Sequence, residues 1–144
     1  VYKSIAKEAY ELMKQYDEKN RRPKPNGEPG WIITYGPNQT SFKQAMISIV
    51  FTGMWLEAWL HLHIIKKIGP EKWTKSIDFS SYETKLKLLE INDESIIQLA
   101  EKFRGARKEL VHEKAHFTQD FFKTAQDEAE VGYQLICKIE SILN

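Results

Sequence analysis

The stretch DESIIQLAEKFRGARKELVHE, residues 93–113, carries the clearest helical periodicity in the chain and also its least comfortable charge. At about 100° per residue, Ile96, Leu99, Ala100, Phe103, Leu110 and Val111 share one face. This predicts a helix from Asp93 to about Val111, capped by Asn92, with Asp93 and Glu94 in the favourable first turn. Arg107 falls in the middle of the apolar face. A guanidinium cannot shed its proton, so burying it unpaired costs on the order of several kcal/mol, and it needs an anion or a wet interface. Glu57 has the opposite problem: it lies on the same side of a second apolar helix as Phe42, Met46, Gly53, Leu60 and Ile64. The two residues are natural partners, and on the plainest reading they form a buried pair that fixes how two helices dock.

Working outward, Tyr2, Ile5, Ala9, Leu12, Met13 and Tyr16 recur at helical spacing and predict a first helix from Tyr2 to Lys19. A loop rich in Pro and Gly follows, from Asn20 to Thr40, and at about twenty residues it is long for a domain interior. Within it Trp31, Ile32, Ile33 and Tyr35 predict a short extended piece that packs back on the body. Ser41 with Gln44 reads as a capping box opening the second helix, which stops at Gly69 and Pro70. Ser80 with Glu83 repeats the device for a short helix over Ser81 to Ile91. Thr118 is placed to cap a last helix from Gln119 to Leu143, with Phe122, Ala125, Ala129, Tyr133, Ile136 and Ile139 as its stripe. No strand alternation or internal repeat competes, so the expected fold is all-α: one domain, residues 1–144, an up-and-down bundle of four to five helices.

The bulk numbers narrow the function. A formal charge of +1 over 144 residues, with acids and bases interspersed, excludes the broad positive field of a general nucleic-acid binder, so any contact with RNA must be local. One cysteine, Cys137, excludes an internal disulfide and a thiol-rich zinc site, and suits a reducing cytoplasm; by position it reads as core. Val1 to Tyr10 lack the apolar run of a secretory signal, and an opening on Val1 reads as a trimmed chain or a piece of a longer one. Ala45 to Ile65 is long and apolar enough to span a bilayer. Glu57 near its middle would cost about 3 kcal/mol there, and three amphipathic helices need an apolar partner, so a buried central helix and no membrane are expected.

The run from Phe103 to Glu113 also resembles the signature of the HEPN superfamily (higher eukaryotes and prokaryotes nucleotide-binding), an Arg followed after four to six residues by His, with Leu110, Val111 and His112 close to its usual ending. Met54, Trp55, Leu56, Glu57, Ala58 and Trp59 are similar to that family's second helix, with its acidic residue in a small and apolar setting. The order of elements agrees over most of the chain outside the Asn20–Thr40 loop; Lys108 stands where the family usually has Asn, Asp or His. The resemblance implies a homodimer in which Arg107 and His112 of both subunits line a shared cleft and cut RNA with no metal and no other cofactor. Glu57, Lys108 and Arg104 would support them. It also implies toxin, antiviral or RNA-processing roles, and a cognate antitoxin or other protein as partner. A histidine of ordinary pKa, about 6.5, exchanges protons at neutral pH, and an arginine stabilises charge building on phosphorus. Five helical steps turn about 140°, so either the helix ends near His112 or the pair meets across the dimer. The alternative is a non-catalytic module that dimerises and binds a nucleotide or a protein.

Two other histidine patterns compete for the chemistry. His112, Glu113 and His116 match the spacing in which two histidines one turn apart hold zinc, but this needs a continuous helix through His116 and a third ligand such as Glu128, Glu130 or Glu140. His61 and His63 lie about 200° apart on a helix and cannot share a metal. Trp31, Trp55, Trp59 and Trp73 read as core or dimer contacts, with stacking on RNA bases open to an exposed Trp73 beside Lys72 and Lys75.

Overall fold

Apolar spacing sets the helices and their packing sets the site. The structure, a computed structural model, describes residues 1–33, 39–112 and 119–143, and within these all side chains except those of residues 33, 106, 108–112 and 119–123. The chain is mostly helical. Helix α1 spans Tyr2–Lys19, the expected bounds, and buries Ala6, Ala9, Tyr10 and Met13. Helix α2 spans Thr40–Ile68 and stops at Gly69, whose φ of 90° no side chain tolerates easily. Two short helices follow, α3 over Lys75–Asp78 and α4 over Tyr82–Leu88. Helix α5 spans Glu94–His112 and α6 spans Gln119–Ile142.

Helix α2 is the axis of the arrangement: α1 and α6 pack along it, α5 packs on α6, and α4 bridges α2 and α5. Ile49, Leu56 and Leu60 of α2 meet Leu86, Ile96, Phe103, Leu135 and Ile139 in one fully buried cluster. This accounts for its apolar length. By length and composition α2 alone among the described helices could cross a membrane, but 39% of its most apolar window is already buried against the other helices. Cys137 is half-buried on α6 rather than in the core.

Several local expectations are corrected. In the Asn20–Thr40 segment the expected extended piece is present as strand β2 (Trp31–Ile33), with Tyr35 outside the described residues, but it pairs in an antiparallel hairpin with an unexpected strand β1 (Arg21–Pro23), in the register Arg21↔Ile33 and Pro23↔Trp31. Strands of three residues are too short to show alternation. Trp31 does not pack back on the body; it is 51% exposed, and the Arg21 guanidinium lies 4.3 Å from its ring centre. Ser41 is no cap. Its hydroxyl donates to Asp17 Oδ1 at 2.6 Å, Gln126 Nε2 donates to both, and this largely buried cluster ties α1, α2 and α6 together. Ser81 rather than Ser80 caps α4, accepting from the Thr84 amide, and Asp93 rather than Asn92 serves α5, accepting from the Ser95 amide. Thr118 lies outside the described residues.

Candidate functional site

Arg107 and Glu57, the two misplaced charges of the sequence, meet. Arg107 Nη1 donates to Glu57 Oε1 at 2.9 Å and to the Tyr82 hydroxyl at 2.9 Å, and that hydroxyl lies 3.2 Å from the same carboxylate oxygen. Three helices therefore contribute one group each: α2 the carboxylate, α4 the phenol, α5 the guanidinium. The pair is not sealed, since the side chains of Arg107 and Glu57 are 26% and 51% exposed. Burial pushes the Tyr82 hydroxyl up to about 12, against the opposing pull of Arg107, so it stays protonated at neutral pH.

What seats the arginine is an absence on α2. A Cβ built on Gly53 would come within 2.4 Å of Arg107 Nε and 2.6 Å of Cζ, so the guanidinium lies directly on the helix backbone there. Nε is buried and has no hydrogen-bond partner among the described residues. Gly53, one turn before Glu57, is thus part of the seat.

Arg107 opens onto a cleft of about 640 Å³ between α2, the α3–α4 segment and α5. Arg104, Lys85, Tyr82, Trp73 and Phe79 also line it. Arg104 Nη2 is 3.4 Å from Glu83 Oε1, close enough for attraction but without hydrogen-bond alignment to that buried carboxylate. Glu83, read from sequence as a capping partner, is instead the counter-charge of Arg104. Lys85 is buried, and its Nζ donates to the Asp78 carbonyl at 2.9 Å.

Of the remaining sequence candidates, His112 belongs to the helical backbone of α5, while its side chain and that of Lys108 lie outside the described residues. α5 is helical from Arg107 through His112, so the two positions stand about 140° apart around one helix. Glu113 and His116 of the zinc pattern are also outside the described residues. Among the described ones no three His, Cys, Asp or Glu side chains converge as metal ligands. His61 meets the Trp73 ring edge-on at 4.4 Å, and His63 stacks on Trp59 and bonds its carbonyl at 2.8 Å. Both imidazoles are engaged locally. Tyr82 was missed by sequence reasoning because nothing near it in the chain points to Arg107, and Gly53 gave only the weak signal of a small residue on the face of Glu57.

Comparison with family models, with curated proteins and with solved structures found no match to this chain.

Proposed function

We propose that this protein is a HEPN-like, metal-independent endoribonuclease that works as a homodimer. The observation that carries the reading is the placement of Arg107: an obligatory cation, seated on Gly53 and steadied by Glu57 and Tyr82, on the wall of an open cleft. A group fixed in that way is ready to meet a phosphate with little loss of side-chain freedom. The proposed step is attack of a ribose 2′-OH on the adjacent phosphorus. His112 takes the hydroxyl proton, the bond from phosphorus to the 5′-oxygen breaks, and the resulting imidazolium returns that proton to the departing oxygen. The products are a 2′,3′-cyclic phosphate and a free 5′-hydroxyl, and DNA, lacking the 2′-OH, is not cut.

Because Arg107 and His112 stand about 140° apart on α5, whose last described residue is His112, the proposed site combines Arg107 of one subunit with His112 of the other, and two-fold symmetry gives two such pairs. Ile47 and Leu62, exposed on α2, are apolar surface that a second copy would cover. The competing reading is a non-catalytic docking pair within a dimerising module, favoured by the ion pair that Arg107 already makes with Glu57. Incubation with RNA in EDTA separates them. Cleavage by the parent, reduced by at least about 100-fold in both Arg107→Ala and His112→Ala, supports the ribonuclease. An intact, folded parent that leaves RNA uncut supports the module.

A further inference from the structure

The cleft beside Arg107 contains an exposed aromatic ring that neither the ion pair nor helix packing uses. Phe79, the residue that ends α3, is 83% exposed and lines the cleft. Trp73, half-buried, lines it too, with Lys85 Nζ 5.7 Å from its ring centre. A single exposed phenyl ring on a protein surface needs no explanation. Here, however, the ring shares one cavity with a tryptophan and with two guanidinium groups, those of Arg104 and Arg107. The volume lies in the range of sites for small molecules or single nucleotides. Rings for base stacking, combined with cations for the backbone, are the recognition chemistry of single-stranded nucleic acid.

We infer that this cleft is a stacking subsite for one nucleotide of a single-stranded RNA, its base lying on Phe79 and its phosphate drawn to Arg104. The inference rests on the ribonuclease reading for the identity of the polymer, and places a flanking nucleotide next to the phosphate held by Arg107. Arg104 suits the role because the buried Glu83 lies 3.4 Å from one end of its guanidinium while its side chain remains 57% exposed. Phe79 offers a π-face and no polar atom, so the subsite discriminates little between bases. An acidic peptide would satisfy the cations and leave the rings unused, and for that reason RNA is the better fit.

The test measures binding separately from cleavage. On a His112→Ala background, the affinity for a short single-stranded RNA is compared with that for the same ribose-phosphate backbone carrying no bases. The expected result is a clear preference for the base-bearing chain, weakened about tenfold by Phe79→Ala and kept by Phe79→Trp, while Arg104→Ala weakens both ligands alike. The exposure of Phe79 makes its loss harmless to folding, which a melting curve checks. Equal affinity for the two backbones, no effect of Phe79→Ala, no RNA binding, or displacement of RNA by an acidic peptide irrespective of Phe79 overturns the subsite. Phe79-dependent binding with no cleavage by the parent removes only the ribonuclease reading. Parental cleavage with binding indifferent to Phe79 removes only the subsite.

Discussion

At the junction of α1, α2 and α6, Asp17 is 8% exposed and accepts from Ser41 and Gln126, two neutral donors; at the junction of α2, α4 and α5, Glu57 is half-exposed and accepts from a guanidinium and a phenol. Both are carboxylates that tie three helices together. The first is largely withdrawn from water and paired with neutral donors, which makes it a structural joint. The second keeps a permanent charge at the edge of a cavity, and surface ion pairs of this kind contribute only about 0–1 kcal/mol to stability. On the proposed reading its geometry serves what the cleft receives rather than what the fold needs.

Gly53 separates the two junctions by the largest effect. Gly53→Ala puts a methyl group where Arg107 now lies and pushes the guanidinium off its seat, so RNA cleavage is expected to fall about 100-fold. Stability should hold or rise by up to about 1 kcal/mol, since alanine is the better helix residue. Parallel activity and urea-denaturation measurements check this, and a loss of fold with the activity would instead make the open cluster structural. The largely buried cluster should behave in the reverse sense. Ser41→Val leaves Asp17 buried with one donor fewer and is expected to cost about 2 kcal/mol in urea denaturation, with cleavage unchanged per folded molecule.

How much of this was legible in the sequence divides along similar lines. The α1 bounds and the stop of α2 at Gly69 follow from local spacing and backbone chemistry, and Arg107 with Glu57 could be matched because each charge lay on an apolar face that excluded it. Ser41 was misread for a physical reason: its spacing to Gln44 imitates a capping box, while its actual partner, Asp17, lies on a different helix. Tyr82 and the Glu83–Arg104 attraction arise from tertiary packing of α4 on α5, which no local pattern encodes. The hairpin was hidden by the brevity of its strands.

A smaller effect sharpens the contrast in pH. Burial holds the Asp17 carboxyl above its ordinary value, although the bond from Ser41 pulls it down. The folded protein then binds that proton more tightly than the unfolded chain, so this residue's contribution to stability falls as pH rises from about 4 through the folded-state value. Asp17→Asn, whose side-chain carbonyl can still accept from Ser41 and Gln126, should flatten that part of the stability profile and leave the neutral-pH protein as stable or slightly more so. Denaturation midpoints across the acid range measure it, and an unchanged slope would remove Asp17 as its source.

If each cutting site combines Arg107 of one subunit with His112 of the other, two inactive variants should complement one another when mixed. Arg107→Ala and His112→Ala chains, unfolded and refolded together, form heterodimers in which one site keeps both an arginine and a histidine. Cleavage restored in the mixture, where neither variant cuts alone, is the predicted result. A mixture that forms heterodimers and stays inert, beside a parent that cuts RNA, would contradict it.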